Sequence, residues 1–197
     1  MTCAAVVLAA GLSRRMGQSK LLLQIGGRAV IRLTVERILS GGVDTVLMVT
    51  GAEHEALTAA LAGLPVRVVV NPHPESGQSS SIRVGIEALS PEADAALIVL
   101  GDQPFLDDRI IPTLVAERRR TGKAIVAPRY RDGRGNPVLF ARELFPELLD
   151  ISGDQGARAV LERDPDRVAL VDFDFPMPAD LDTPEDYARL RSGRETR

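Results

Sequence analysis

The chain alternates continuous apolar runs with stretches of helical period. Residues 4–10 are an unbroken apolar run that stops at Gly11, the pattern of a strand covered on both faces. Residues 28–39 then place Ile31, Val35, Ile38 and Leu39 on one helical stripe that ends at Gly41-Gly42. Residues 45–49 read as a second strand, 53–62 as a short helix stopped by Gly63, and 66–70 as a third strand. Ser79 is placed to cap a helix carrying Ile82, Ile86 and Leu89. Residues 95–100 form the fourth strand, and Asp107 opens a helix carrying Ile110, Ile111, Leu114 and Val115. Residues 124–127 form the fifth strand. Such alternation implies an α/β fold with a mostly parallel sheet and helices on both faces.

After residue 128 the pattern becomes irregular. Residues 129–134 are polar, 136–140 are extended, short helical pieces run to about residue 163, and 170–173 read as a further strand. Thr183 as N-cap, Pro184 at the first helical position and Glu185-Asp186 in the first turn open the last helix. This part reads as an elaboration of one sheet and not as a second domain. A single domain is expected over residues 1–191, with 192–197 as a frayed tail.

Composition narrows the function classes. With 197 residues, 45% of them hydrophobic, the chain can bury one good core; without Trp, that core rests on Val, Leu, Ile and Ala. A net charge of −3 gives no reason to expect a nucleic-acid partner. The first apolar run is far shorter than the ~20 residues of a membrane span and no basic region precedes it, so a soluble cytoplasmic protein is expected, without a membrane partner. Cys3 is the lone cysteine, which excludes an internal disulfide and a cysteine zinc site; it reads as a small buried residue at a strand start.

Three stretches carry candidate chemistry. The loop after the first strand, residues 11–20, has Gly11 and Gly17 to turn backbone N–H groups toward phosphate, with Arg14, Arg15 and Lys20 for charge. It is neither a Walker loop nor a dinucleotide turn, since Lys20 does not directly follow Gly17, and Ser13 and Met16 stand where glycines would. The bland alternative is a surface turn with solvated arginines. Gly101-Asp102-Gln103-Pro104 ends the fourth strand and points a carboxylate into the same crevice, suited to Mg²⁺ or simply to a β-turn. Asp180 and Asp182 offer a second carboxylate for such a metal, or merely precede a helix cap. His54 reads as a helix-surface residue and His73, between two prolines, as structural; neither has an acid neighbour that argues for a catalytic triad.

Together these residues resemble a known family. Leu8-Ala9-Ala10-Gly11, Ser13, Arg15-Met16-Gly17 and Lys20 look like the opening signature of the MobA-like nucleotidyltransferases, relatives of the sugar-nucleotide and isoprenoid cytidylyltransferases. The resemblance continues through Asn71 and residues 77–83, 101–106, 135–140, 153–158 and 180–186, nearly the whole chain in order. It is strongest to the molybdenum cofactor cytidylyltransferase branch (MocA-type). The guanylyltransferase branch typically has Gly where this sequence has Ala10, and a different residue at Gln103.

The resemblance implies a Rossmann-like three-layer α/β/α fold and transfer of CMP from CTP to the terminal phosphate of molybdenum cofactor, with release of pyrophosphate. It makes Lys20, Arg15 and Asp102 the catalytic set and gives Mg²⁺ to Asp102 and Asp182. The nucleotide would lie along Leu8, Ala9, Ala10, Gly11, Ser13, Arg14, Arg15 and Lys20, with Asn71, Gly77, Ser80, Ser81, Asp102 and Gln103. Asn136, Pro137, Gly153 and Asp154 would line the acceptor side. The implied partners are CTP, a molybdopterin-type phosphorylated acceptor and, transiently, a molybdoenzyme maturation chaperone. The alternatives are another NTP or small phosphate acceptor, a non-catalytic nucleotide-binding partner, or a redox protein on the same fold. Paired metal-binding acids argue against the last two.

Overall fold

The computed structural model describes residues 1–11 and 19–192, without the side chain of Gln155. Ser13, Arg14, Arg15, Met16, Gly17 and the expected tail from residue 193 lie outside the described residues. Along the chain come β1 (Cys3–Ala9), β2 (Gln24–Ile25), β3 (Arg28–Ala29), α1 (Val30–Ser40), β4 (Thr45–Thr50), α2 (His54–Ala60), β5 (Val66–Val70) and α3 (Gln78–Glu87). Then follow β6 (Ala95–Leu100), α4 (Ile110–Thr121), β7 (Ile125–Tyr130), β8 (Gly133–Arg134), β9 (Val138–Ala141), α5 (Phe145–Leu149), α6 (Arg158–Arg163), β10 (Val168–Asp172) and α7 (Pro184–Arg191).

The main sheet runs β10-β7-β9-β6-β1-β4-β5, with β8 paired to β7. β1 is central and parallel to both β4 and β6. Its continuous apolar run is explained by helices on both faces. Cys3, Ala5, Val7 and Ala9 pack with α1, α2, α4 and α7 on one side; Val6 packs with α3, α5 and α6 on the other. β4 and β5 lie on one side of β1 and β6 on the other, while β2 and β3 form a separate two-stranded sheet. The chain therefore reverses direction across the sheet beside β1, and a crevice opens where the ends of β1 and β6 diverge.

Three local expectations are corrected. The helix expected from residue 28 starts at Val30, because Gly26 and Gly27, both at positive φ (57° and 78°), close a tight hairpin between β2 and β3. Ser79 is a buried residue inside α3, and the N-cap is Gly77, at φ 91°. Asp107 precedes α4 by a turn: its carboxylate accepts from the N–H of Arg109, and the helix begins at Ile110. The extended 136–140 segment also acquires a role that periodicity does not disclose. As β9 it runs antiparallel between β6 and β7, so the strand that follows β6 in sequence is not its neighbour in space.

Candidate active site

Each acid and base of the site is held by its own element. Lys20 lies in a single 3₁₀ turn, Lys20–Leu22, whose Leu21 is buried in the core. The Ser19 hydroxyl donates to Glu53 at 2.5 Å, which ties the preceding residue to the start of α2. Asp102 follows β6 by way of Gly101, whose N–H donates to Leu8 O of β1 at 3.0 Å. Asp182 is set by the entry to α7, where Thr183 is the expected N-cap and forms a reciprocal capping box with Asp186. The Asp186 carboxylate also accepts from the N–H of Asp182 at 3.2 Å, so the cap fixes the backbone of the acid beside it. Leu181, fully buried, donates its N–H to Asp102 O at 3.1 Å and joins the two acidic segments.

These elements bring three sequence-distant charges together. The Lys20 ammonium lies 2.5 Å from Asp102 Oδ2 and 2.9 Å from Asp182 Oδ1. Lys20 and Asp102 side chains are 16% and 14% exposed, so that pair is shielded and not a solvated surface pair, while Asp182, at 36%, is open to solvent. Burial works against the Lys20 charge, but Asp102 and then Asp182 outweigh it, and its pKa stands above the ordinary lysine value. Asp180 stands on the same wall. Burial of its carboxyl and then the charge of Asp102 raise its pKa, against the bond it receives from Gln103.

A cavity of about 590 Å³ opens over this cluster. Leu8, Ala9, Ala10 and Gly11 form one edge at the end of β1, and Gly77 and Ser81 contribute the N-terminal turn of α3. Asp154, which the resemblance puts on the acceptor side, closes another part of the wall. The fit there is close: a Cβ on Gly77 would come within 2.5 Å of Asp154 Oδ1 and 2.7 Å of the Gly153 backbone, in addition to its positive φ. Pro74, Glu75 and Gln78 also face the cavity. None was singled out from sequence, since the path of the 71–78 loop depends on Asn71.

Several residues expected at the nucleotide are hydrogen-bonded within the scaffold. Asn71 is buried and donates to Ser80 Oγ and Ser81 Oγ at 2.8 and 3.0 Å, while its Oδ1 accepts from the N–H of His73. Ser80 donates back to the loop carbonyls of His73 and Gly77. Gln103, expected at the base, is 1% exposed and turns away: its Nε2 donates to Asp180 Oδ1 at 2.8 Å and to Pro178 O at 3.3 Å. Its Oε1 is buried without a hydrogen-bond partner among the described residues. Asn136 and Pro137 do not reach the cavity either; they lead into β9, where Asn136 O accepts from the Tyr130 hydroxyl. His54 Nδ1 lies 3.2 Å from Thr50 Oγ1, and His73 is an exposed neighbour of Glu75.

Residues 5–168 match the model of the MobA-like NTP transferase domain. This chain belongs to that family. The MobA-like chain is 34% identical to nicotine blue oxidoreductase of Paenarthrobacter nicotinovorans and 33% identical to purine catabolism protein PucB of Bacillus subtilis, with 94% of each chain covered in both pairs. A probable molybdenum cofactor guanylyltransferase of Thermococcus gammatolerans is 28% identical over 81% of this chain and 82% of its own. Among solved structures, Rv0371c of Mycobacterium tuberculosis superposes with a TM-score of 0.86 at 31% identity, covering 98% of both chains. The same protein has been solved in complex with manganese, at 30% identity, TM-score 0.84 and coverage of 98% of this chain and 99% of that one. The MobA-like chain is thus a nucleotidyltransferase with the family's α/β fold. No helix among the described residues is long and apolar enough to cross a membrane.

The donor set suits a divalent cation. Two carboxylates converge on one point, each within 2.9 Å of the Lys20 ammonium. Mg²⁺ is usually held by one or two carboxylates together with substrate phosphates. Among the described residues no group of three His, Cys, Asp or Glu side chains forms a cage, so a metal on Asp102 and Asp182 would draw its remaining ligands from the nucleotide.

Proposed function

We propose that this MobA-like nucleotidyltransferase moves CMP from CTP onto the terminal phosphate of a molybdopterin-type acceptor, with Mg²⁺ on Asp102 and Asp182. One observation carries the reading: a cation and two carboxylates meet on the wall of a cavity that Ala10 and Gly77 also line. The cavity is large enough for a small ligand of nucleotide size.

The acceptor phosphate oxygen attacks the α-phosphorus, a new P–O bond forms, and the bond to the departing pyrophosphate breaks. A phosphate nucleophile is already ionised near neutral pH and needs no general base. The chain's part is positioning and charge neutralisation. Lys20, kept charged by its acidic neighbours, is within reach of phosphoryl oxygens in this cavity, and Arg15 is assigned the leaving pyrophosphate by resemblance. Asp102 and Asp182 would hold Mg²⁺, which when bound supplies positive charge against the phosphates.

The Ala10 methyl on the cavity edge leaves less room for a two-ring base and supports CTP over GTP. One methyl is worth only ~1–3 kcal/mol of discrimination, and a relative at 28% identity carries a guanylyltransferase name. Asp154 on the wall supports an acceptor seat beside α3. The test is pyrophosphate release from CTP, GTP, ATP and UTP, each offered molybdenum cofactor and common sugar or alcohol phosphates. CTP with molybdenum cofactor should be fastest. Faster turnover with another pair would move the substrate assignment and leave the family chemistry in place.

A further inference from the structure

Lys20 Nζ stands at the point on which Asp102 and Asp182 converge, at 2.5 and 2.9 Å from their oxygens. A divalent cation bound by the same two carboxylates needs that space, and two cations cannot share it without strong repulsion. We propose that Lys20 is a built-in competitor for the metal: it occupies the carboxylate pair until a nucleoside triphosphate draws its ammonium away, so that metal and nucleotide are captured together. This rests on the reading of Asp102 and Asp182 as the metal-binding pair.

The mobility of the partners favours this exchange. The acids are fixed through their backbones, by the Leu181 N–H to Asp102 O bond and by the capping box that holds Asp182. The Lys20 backbone is fixed too, by the 3₁₀ turn and buried Leu21. What can move is the four-carbon lysine stem, with a phosphate-bearing ligand in the adjoining cavity as its alternative partner. Asp180 sharpens the coupling. Among the described residues Lys20 shares the cavity wall with Glu75, Asp102, Asp154, Asp180 and Asp182, so drawing its ammonium toward phosphate favours a metal cation taking its place on Asp102 and Asp182. The Lys20-to-phosphate and metal-to-carboxylate exchanges therefore assist one another.

The experiment measures Mn²⁺ binding to the full chain without nucleotide, from the electron paramagnetic resonance signal of free Mn²⁺. Lys20→Met should bind Mn²⁺ at least about tenfold more tightly than wild type, and adding Asp102→Asn should abolish that gain. Circular dichroism checks that each variant is folded. A second measurement uses wild type alone: acylation of lysines read by mass spectrometry, with Lys123 as the internal reference. Saturating Mn²⁺ should increase labelling of Lys20 relative to Lys123. Equal Mn²⁺ affinity in folded Lys20→Met and wild type, or Lys20 labelling unmoved by bound Mn²⁺, overturns the competition. If that happens while Asp102→Ala still abolishes turnover, the metal reading stands and only the competition fails. If Lys20→Met gains Mn²⁺ affinity but no NTP is turned over by wild type, the competition stands and the proposed reaction fails.

Discussion

Asp102 reaches its place because Gly101 lets the chain turn against β1: a Cβ there would sit 3.0 Å from Leu8 O and 3.1 Å from Ile31 Cδ1. Its carboxylate then meets Lys20 across 82 positions of sequence. Asp102→Ala is expected to lose at least ~10²-fold in turnover, about 2.7 kcal/mol of barrier, and Asp182→Ala to fall in the same direction. Steady-state rates at saturating NTP and raised Mg²⁺ measure this; a near-normal rate for Asp102→Ala would take it out of the chemistry. Ala10 is the residue to change for base choice. It is 6% exposed and stands on the cavity edge. Glycine there would widen the space beside the base, so Ala10→Gly should narrow the preference for CTP over GTP by ~10-fold in kcat/KM ratio. Direct competition of the two nucleotides in one assay reads the ratio, and an unchanged ratio would clear Ala10 of base selection. Gln103 offers no comparable direct handle, since its amide braces Asp180.

At the scale of elements, α3 decides how the cavity is walled. Its N-terminus opens at Gly77 against Gly153 and Asp154, and its middle presses Gly85 onto β1. A Cβ on Gly85 would lie 2.3 Å from Val6 Cγ1 and 3.2 Å from Val49 Cγ2, so a side chain there must displace the buried Val6 or the helix itself. Gly85→Ala should therefore destabilise the protein by ~1–3 kcal/mol, the cost of overpacking a filled core, despite alanine's better helix propensity. Chemical denaturation checks the sign: a neutral or stabilising substitution would show that α3 can lift away freely. Because the same helix carries Gly77 and Ser81 on the cavity wall, the folded fraction of this variant should also bind nucleotide more weakly. Arg83 ties the other end of the arrangement, donating to Leu149 O at 3.2 Å and Ile151 O at 3.0 Å just before the Gly153 segment.

For the whole molecule, the stability of the sheet is linked to alkaline pH through Cys3. Burial and then the nearby Asp44 charge push its thiol up to about 12 from the ordinary 9.0. The unfolded chain thus releases this proton first. Its contribution is complete below about pH 9 and declines as the pH rises from there toward the folded value. Burial raises the Tyr130 hydroxyl in the same sense. Denaturation midpoints should fall from about pH 9 upward, and Cys3→Ala should flatten that decline; an unchanged slope in the variant would remove the thiol as its source. Native Cys3, 1% exposed, should also resist thiol reagents until the chain unfolds.

Element types were legible along the sequence because they depend on neighbours within a few residues. The apolar run of β1, the stripe of α1, the Thr183 cap and the glycine stops are local steric and hydrogen-bonding facts. The edge of the cavity at Leu8 to Gly11 was implied by the resemblance, and fits the rule that ligands in an open parallel sheet sit beyond the carboxyl ends of its strands. The insertion of β9 between β6 and β7 was not, because it depends on which strand fills a gap left by a helical crossover. The turning of Gln103 toward Asp180 and the meeting of Lys20 with Asp182 span 77 and 162 positions. No local period encodes such pairs. They are settled by three-dimensional packing, when Leu181 is buried beneath the Asp102 turn and brings the late acids to the early lysine.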